Sequence, residues 1–83
     1  MKIRVKLYAM LAKYLPDGAV KNEVDMSLGD GVDVQSVLSD LNLPEEMCHL
    51  VLVNGSYLSP SDRPGHKLSE GDHLAVWPPV AGG

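Results

Sequence analysis

Asp33-Val34-Gln35-Ser36-Val37-Leu38-Ser39-Asp40-Leu41-Asn42-Leu43-Pro44 is the longest helical pattern in this 83-residue chain, and strand-like segments flank it on both sides. Val34, Val37, Leu38 and Leu41 recur at i, i+3, i+4 and i+7, which lines them up as one apolar stripe. Asp33 stands where a cap is needed: its carboxylate can accept from first-turn amides and sits at the positive end of the helix dipole. Leu43-Pro44 is expected to stop the helix, because the residue before a proline is pushed out of the α region.

Upstream, Lys2 to Leu7 alternates strictly, with Ile3, Val5 and Leu7 on one face and Lys2, Arg4 and Lys6 on the other. That is the period-two pattern of a half-buried strand. From Tyr8 to Leu15 the apolar spacing changes to that of a short helical turn, stopped by Pro16-Asp17-Gly18. Val20, Val24, Met26 and Leu28 then share one parity and predict a second strand, antiparallel to the first, ending at Gly29-Asp30-Gly31.

Downstream, Leu50 to Val53 is a continuous apolar run followed by Asn54-Gly55, a pair that tolerates the positive φ angles of a tight hairpin. Tyr57-Leu58 reads as a brief return strand, Ser59 to Lys67 as a polar surface loop, and residues 73 to 77 as the last strand, entered through Gly71-Asp72. Strands, one helix and more strands give an α+β fold: a mixed four- to five-stranded sheet with the main helix packed on one face. The chain has room for a single domain, residues 1–77, with 78–83 as a flexible tail.

Composition removes several function classes. A hydrophobic content of 45% is that of a folded protein, and a net charge of −4 with scattered carboxylates argues against nucleic acid or an acidic membrane as partner. No apolar stretch is long enough for a membrane span or a secretory signal, and the lone Cys48 forms no internal disulfide. A cytoplasmic protein, monomeric when free, is expected.

Conventional catalytic searches return little. His49, His66 and His73 lack metal-ligand spacing, so no metal is expected, and no serine sits in a Gly-x-Ser-x-Gly turn. Gly29-Asp30-Gly31 lacks the third glycine and the lysine of a phosphate-cradling loop. Around Cys48, Glu45 and Glu46 oppose a thiolate and no neighbour in sequence supplies positive charge, so a small buried apolar role is expected.

The end of the chain is different. Pro78-Pro79 must stop the last strand, since proline donates nothing to a ladder and favours extended geometry. Val80, Ala81, Gly82 and Gly83 follow, and the six residues from Pro78 can project about 18 Å, enough to thread a partner's active site. The two glycines lack a Cβ and allow close approach by another protein. A chance Gly-Gly ending arises in only about 1 chain in 200 at ordinary glycine usage.

Leu68-Ser69-Glu70-Gly71-Asp72-His73-Leu74-Ala75-Val76-Trp77-Pro78-Pro79-Val80-Ala81-Gly82-Gly83 resembles the ending shared by small sulfur carriers of the ubiquitin-like β-grasp superfamily. Val51-Leu52-Val53-Asn54-Gly55 and the start Val5-Lys6-Leu7-Tyr8-Ala9 extend the likeness over nearly the whole chain. Within that superfamily the Tyr8–Leu15 insertion and the Pro-Pro-Val tail are most similar to the molybdopterin synthase small subunit. The resemblance implies a carrier that is not itself an enzyme and binds no cofactor. In the implied cycle a ubiquitin-activating-type adenylating enzyme uses ATP-Mg to activate the Gly83 carboxylate. A sulfur donor then makes the thiocarboxylate, and a larger synthase subunit or other acceptor enzyme takes the sulfur. Two other uses of such a chain stay open: a protein modifier joined to lysines through Gly83, and a thiamine-pathway carrier.

If strands one and five are neighbours, as in that fold, strand parity turns Arg4, Lys6 and Tyr8 outward beside Trp77. Tyr57, on the return strand, is expected to join them in an aromatic partner-binding surface leading into the tail.

Overall fold

The computed structural model describes residues 1–79. In β1 (Lys2–Leu7) the side chains of Ile3, Val5 and Leu7 are buried, while Lys2 and Arg4 are exposed. β2 (Glu23–Ser27) runs antiparallel to β1 with Val5 opposite Val24, and it begins later than the parity of Val20 predicts. The reason is local: Val20 and Glu23 exchange backbone hydrogen bonds of 3.0 and 3.2 Å across a two-residue turn, in which Lys21 takes φ +59°. Val20 is thereby left on the surface, outside the strand its parity predicts.

The helix α1 (Val34–Asp40) is capped as expected, with Asp33 Oδ1 accepting from the Ser36 amide at 2.8 Å. The second carboxylate oxygen accepts from the Gly65 amide at 3.0 Å, tying the late loop to the start of the helix. Its end is made by Asn42, one residue before the expected stop. Asn42 sits at φ +62°, the Leu43 amide donates to the Leu38 carbonyl at 3.1 Å, and the Asn42 amide donates to Ser39 at 2.9 Å. That pair of bonds is the Schellman ending, with asparagine in the place glycine usually takes. Val34, Val37 and Leu38 face the sheet and are buried.

β3 (Leu50–Val53) and β4 (Ser56–Tyr57) form the hairpin that Asn54-Gly55 predicts, at φ +51° and +83°. Leu58 falls just outside β4 and is buried. β5 (His73–Trp77) matches its expected bounds, parallel to β1 and antiparallel to β3. The sheet order is β2-β1-β5-β3-β4, so the last strand fills the slot between the first strand and the hairpin. One face of this sheet, through Ile3, Val5, Leu7, Val51, Val53, Leu74 and Val76, makes the core with α1 and Leu11.

The segment 59–67, expected as polar surface loop, contains a short 3-10 turn (Pro60–Asp62) and then a buried side chain, Arg63. Its carbonyl accepts from the Gln35 amide at the start of α1, which draws this stretch inward. Among the described residues no helix is long and apolar enough to cross a membrane.

Candidate functional site

Among the described residues no helix or strand covers the sheet face opposite α1, and its rows can be read across the strands. Leu50 pairs with Trp77; Tyr8 extends β1 by one rung, its amide donating to the Val76 carbonyl at 3.1 Å. The next row runs Tyr57, Leu52, Ala75, Lys6 and Glu23, and the following one His73, Arg4 and Asp25. Aromatic and aliphatic side chains thus occupy the β3–β5 side, and charges the β1–β2 side.

Tyr8 and Trp77 are stacked, with ring centroids 3.7 Å apart and planes 4° from parallel. The stack is created by register, since both residues follow the buried pair Leu7 and Val76 on adjacent strands. After Tyr8 the chain turns at once, with Ala9 at φ +52°, into a 3-10 segment (Ala9–Tyr14) that buries Leu11. Met10, at the tip of that segment, is exposed. Trp77 remains 38% exposed despite the stack, and Tyr57 is 60% exposed.

Tyr57 shares this face but sits one row away from the stack, with Leu52 and Ala75 between. Lys6, Tyr8, Leu52, Asn54, Gly55, His73 and Ala75 line a shallow hollow of about 390 Å³ there. Arg4 is differently engaged. Its guanidinium bonds Asp25 at 2.9 Å and approaches Glu23 to 3.6 Å, and the bond to Arg4 holds the Asp25 carboxyl below its ordinary pKa. A second hollow of similar size at the β2 edge is lined by these charged groups and Val20, on the side of the sheet away from Trp77.

At the end of β5 the Trp77 carbonyl accepts the His49 amide at 3.0 Å, the last rung of the ladder. Pro78 is buried and Pro79 exposed, so packing continues one residue past the boundary read at Trp77. Val80, Ala81, Gly82 and Gly83 lie outside the described residues. Among the described residues no three His, Cys, Asp or Glu side chains gather as metal ligands.

Sequence reasoning identified Tyr8, Trp77, Tyr57, Lys6 and Arg4 on this face but missed Leu50 and Leu52, whose apolar run hid which members point outward. The burial of Arg63, within a segment whose composition predicts a polar surface loop, is likewise not legible in the sequence.

The ThiS family model matches residues 6–83. The chain belongs to the ThiS family. No curated protein sequence matches this family member. Among solved structures it is similar to SAMP1 from Haloferax volcanii, at 24% identity and TM-score 0.69 over the whole of both chains. It is also similar to a Pyrococcus furiosus protein assigned as subunit 1 of molybdopterin converting factor, at 24% identity and TM-score 0.65, covering 95% of this chain and 98% of that one. A third likeness, at 16% identity and TM-score 0.60 over the whole of both chains, is to a chain in the complex of subunits 1 and 2 of molybdopterin-converting factor from Helicobacter pylori. These likenesses establish the fold of this ThiS-family protein as ubiquitin-like β-grasp, as the resemblance of its ending implied.

Proposed function

We propose that this ThiS-family chain is a sulfur carrier whose reacting group is the Gly83 carboxylate, with the uncovered sheet face as the surface that presents it to partner enzymes. The observation that carries the reading is the Tyr8–Trp77 stack, an apolar platform at the point where β5 hands over to the terminal segment.

The chemistry follows from the carboxylate. It resists nucleophiles until one oxygen becomes part of a good leaving group. An adenylating partner achieves this when the carboxylate oxygen attacks the α-phosphorus of ATP and pyrophosphate departs. Hydrosulfide delivered by the sulfur donor then attacks the acyl carbon, AMP leaves, the proton is lost, and a thiocarboxylate remains as a sulfur nucleophile. The carrier supplies no base for these steps; it supplies a Cβ-free end. Four residues beyond Pro79 reach at most about 14 Å, enough to enter a partner's site while the sheet face stays docked outside.

The acceptor we favour is a larger molybdopterin synthase subunit, because the H. pylori likeness is to a chain held in a complex of subunits 1 and 2. Mixing the carrier with such a subunit and measuring binding by calorimetry tests this. Micromolar or tighter affinity that falls on Trp77→Glu supports it, and no binding refutes it. A second reading, conjugation through Gly83 to lysines of other proteins, is favoured by the similarity to H. volcanii SAMP1, small archaeal modifier protein 1. Gly-Gly remnants on target lysines distinguish it.

A further inference from the structure

β2 is one edge of the sheet, and the register of its pairing with β1 decides which of its backbone groups lie open. The Leu7 amide donates to the Asn22 carbonyl at 3.0 Å, and Met1 and Leu28 exchange two bonds of 2.7 Å. Bonded pairs in an antiparallel ladder recur every second residue, so Val24 and Met26 also turn their backbone groups toward β1. Glu23, Asp25 and Ser27 turn theirs outward. Those of Glu23 are taken by Val20, at 3.0 and 3.2 Å. Those of Asp25 and Ser27 bond no other element among the described residues.

An open edge of this kind is a template for another strand. Its side chains are half prepared for one. Val24, Met26 and Leu28 lie on the α1 side, packed against the core but only half-buried. On the opposite side Asp25 is bonded to Arg4.

We propose that the β2 edge is a self-association site, at which a second copy of this chain adds its own β2 antiparallel, with the two-fold axis passing between the two Met26 residues. The open groups select that register, because in a two-fold contact the same edge must complement itself. Centred on Asp25, the contact sets two carboxylates opposite each other and brings Ser27 to the Glu23 that Val20 already occupies. Centred on Ser27, it leaves only one bonded pair inside the strands. Centred on Met26, Asp25 of each copy bonds Ser27 of the other, and every outward amide and carbonyl of these two residues is satisfied.

Side chains match in the same register. On the α1 side Met26 meets Met26 of the second copy and Val24 meets its Leu28, in the non-bonded pairs where side chains approach most closely. Each half-buried row thereby completes the other. On the opposite side Asp25 stands between its own Arg4 and Ser27 of the second copy, with Lys2 of that copy one strand further on. The exposed Lys21, in the turn after Val20, comes beside the exposed Asp30 of the second copy at each end. No like charges are opposed. The two five-stranded sheets become one, and β2 and β1 stand between the joint and β5, so Trp77 stays open in both copies. A weak dimer replaces the free monomer expected from the sequence.

The test uses the full chain. Sedimentation of the parent should show dimer growing between about 10 µM and 1 mM, the weak range expected of so short an interface. Ser27→Pro removes an outward N–H without touching the bonds to β1, as edge prolines do, and should abolish the dimer. Ser27→Asp keeps that N–H but sets a carboxylate against Asp25 of the second copy, and should weaken the dimer several-fold. For the register, Met26→Cys in a Cys48→Ala background should form an intermolecular disulfide at least about tenfold faster than Ser56→Cys, on the far edge, in the same background. Three results overturn the proposal: a parent that sediments as a monomer up to about 1 mM, a dimer undiminished by Ser27→Asp, or a Met26→Cys disulfide no faster than that of Ser56→Cys.

Discussion

Tyr8 and Trp77 lie face to face at 3.7 Å because β1 and β5, the first and last strands, are parallel neighbours that end together. Tyr8 stands where the chain leaves the sheet for the 3-10 segment, and Trp77 stands where it leaves for the terminus. One ring pair therefore marks both the end of β5, beyond which the terminal segment begins, and one edge of the sheet face opposite α1.

Trp77→Glu is expected to weaken binding to the adenylating partner by at least about tenfold, since buried aromatic anchors dominate such interfaces. Because the indole is part-exposed in the free protein, stability should fall by only about 0.5–1.5 kcal/mol, the worth of an aromatic pair. Calorimetry for affinity and urea denaturation for stability separate the two effects.

Asp33 supplies both the helix cap and the link to Gly65, and the Gly65 and Ser36 amides hold its carboxyl below the ordinary pKa. A carboxyl whose pKa is depressed in the folded state contributes stability that is fully present above its unfolded value, near pH 4. That contribution is lost as pH falls through the lower folded value. Asp33→Asn should accordingly lose stability at neutral pH and show a shallower decline below about pH 4 than the parent, measured as urea midpoints against pH.

Ala9 occupies φ +52°, where an L side chain crowds its own backbone and glycine does not. Ala9→Gly should raise stability by about 0.5–1 kcal/mol, the relief of left-handed strain less the added freedom of the unfolded chain. A chemical denaturation midpoint that falls instead shows that the methyl packs usefully at this turn.

Removing Gly82 and Gly83 should leave the thermal midpoint within about 1 °C, because the packed ladder closes at Trp77 and Pro79 is already exposed. Adenylation by a cognate activating enzyme, followed as pyrophosphate release, should be abolished. A large drop in the midpoint contradicts the reading of the end as a free arm.

The parts of the fold that were legible in the sequence are those where period and punctuation agree. Lys2–Leu7 alternates and is a strand, Asp33 precedes a stripe and caps it, and Asn54-Gly55 turns a hairpin. Val20 misled because parity alone does not register a tight turn at Lys21-Asn22. Asn42 is hard to read as the helix end because asparagine carries a weaker stop signal than the proline that follows. On the site, parity found Tyr8 and Trp77 on one face, but their contact required the parallel pairing of the two ends of the chain, which no local pattern encodes. Arg63 was illegible for the same reason: a loop of polar composition gives no sign that one charged side chain turns inward.

The central claim, that Gly83 is the group on which partners act, is tested most directly by mass spectrometry of the C-terminal peptide of protein isolated from its native cells. The account predicts a fraction in which one terminal carboxylate oxygen is replaced by sulfur, rising when sulfur demand rises and absent when the activating enzyme is removed. A terminus that is only ever carboxylate under that demand contradicts it, and one found only joined to lysines of other proteins keeps Gly83 as the reacting group but contradicts sulfur carriage.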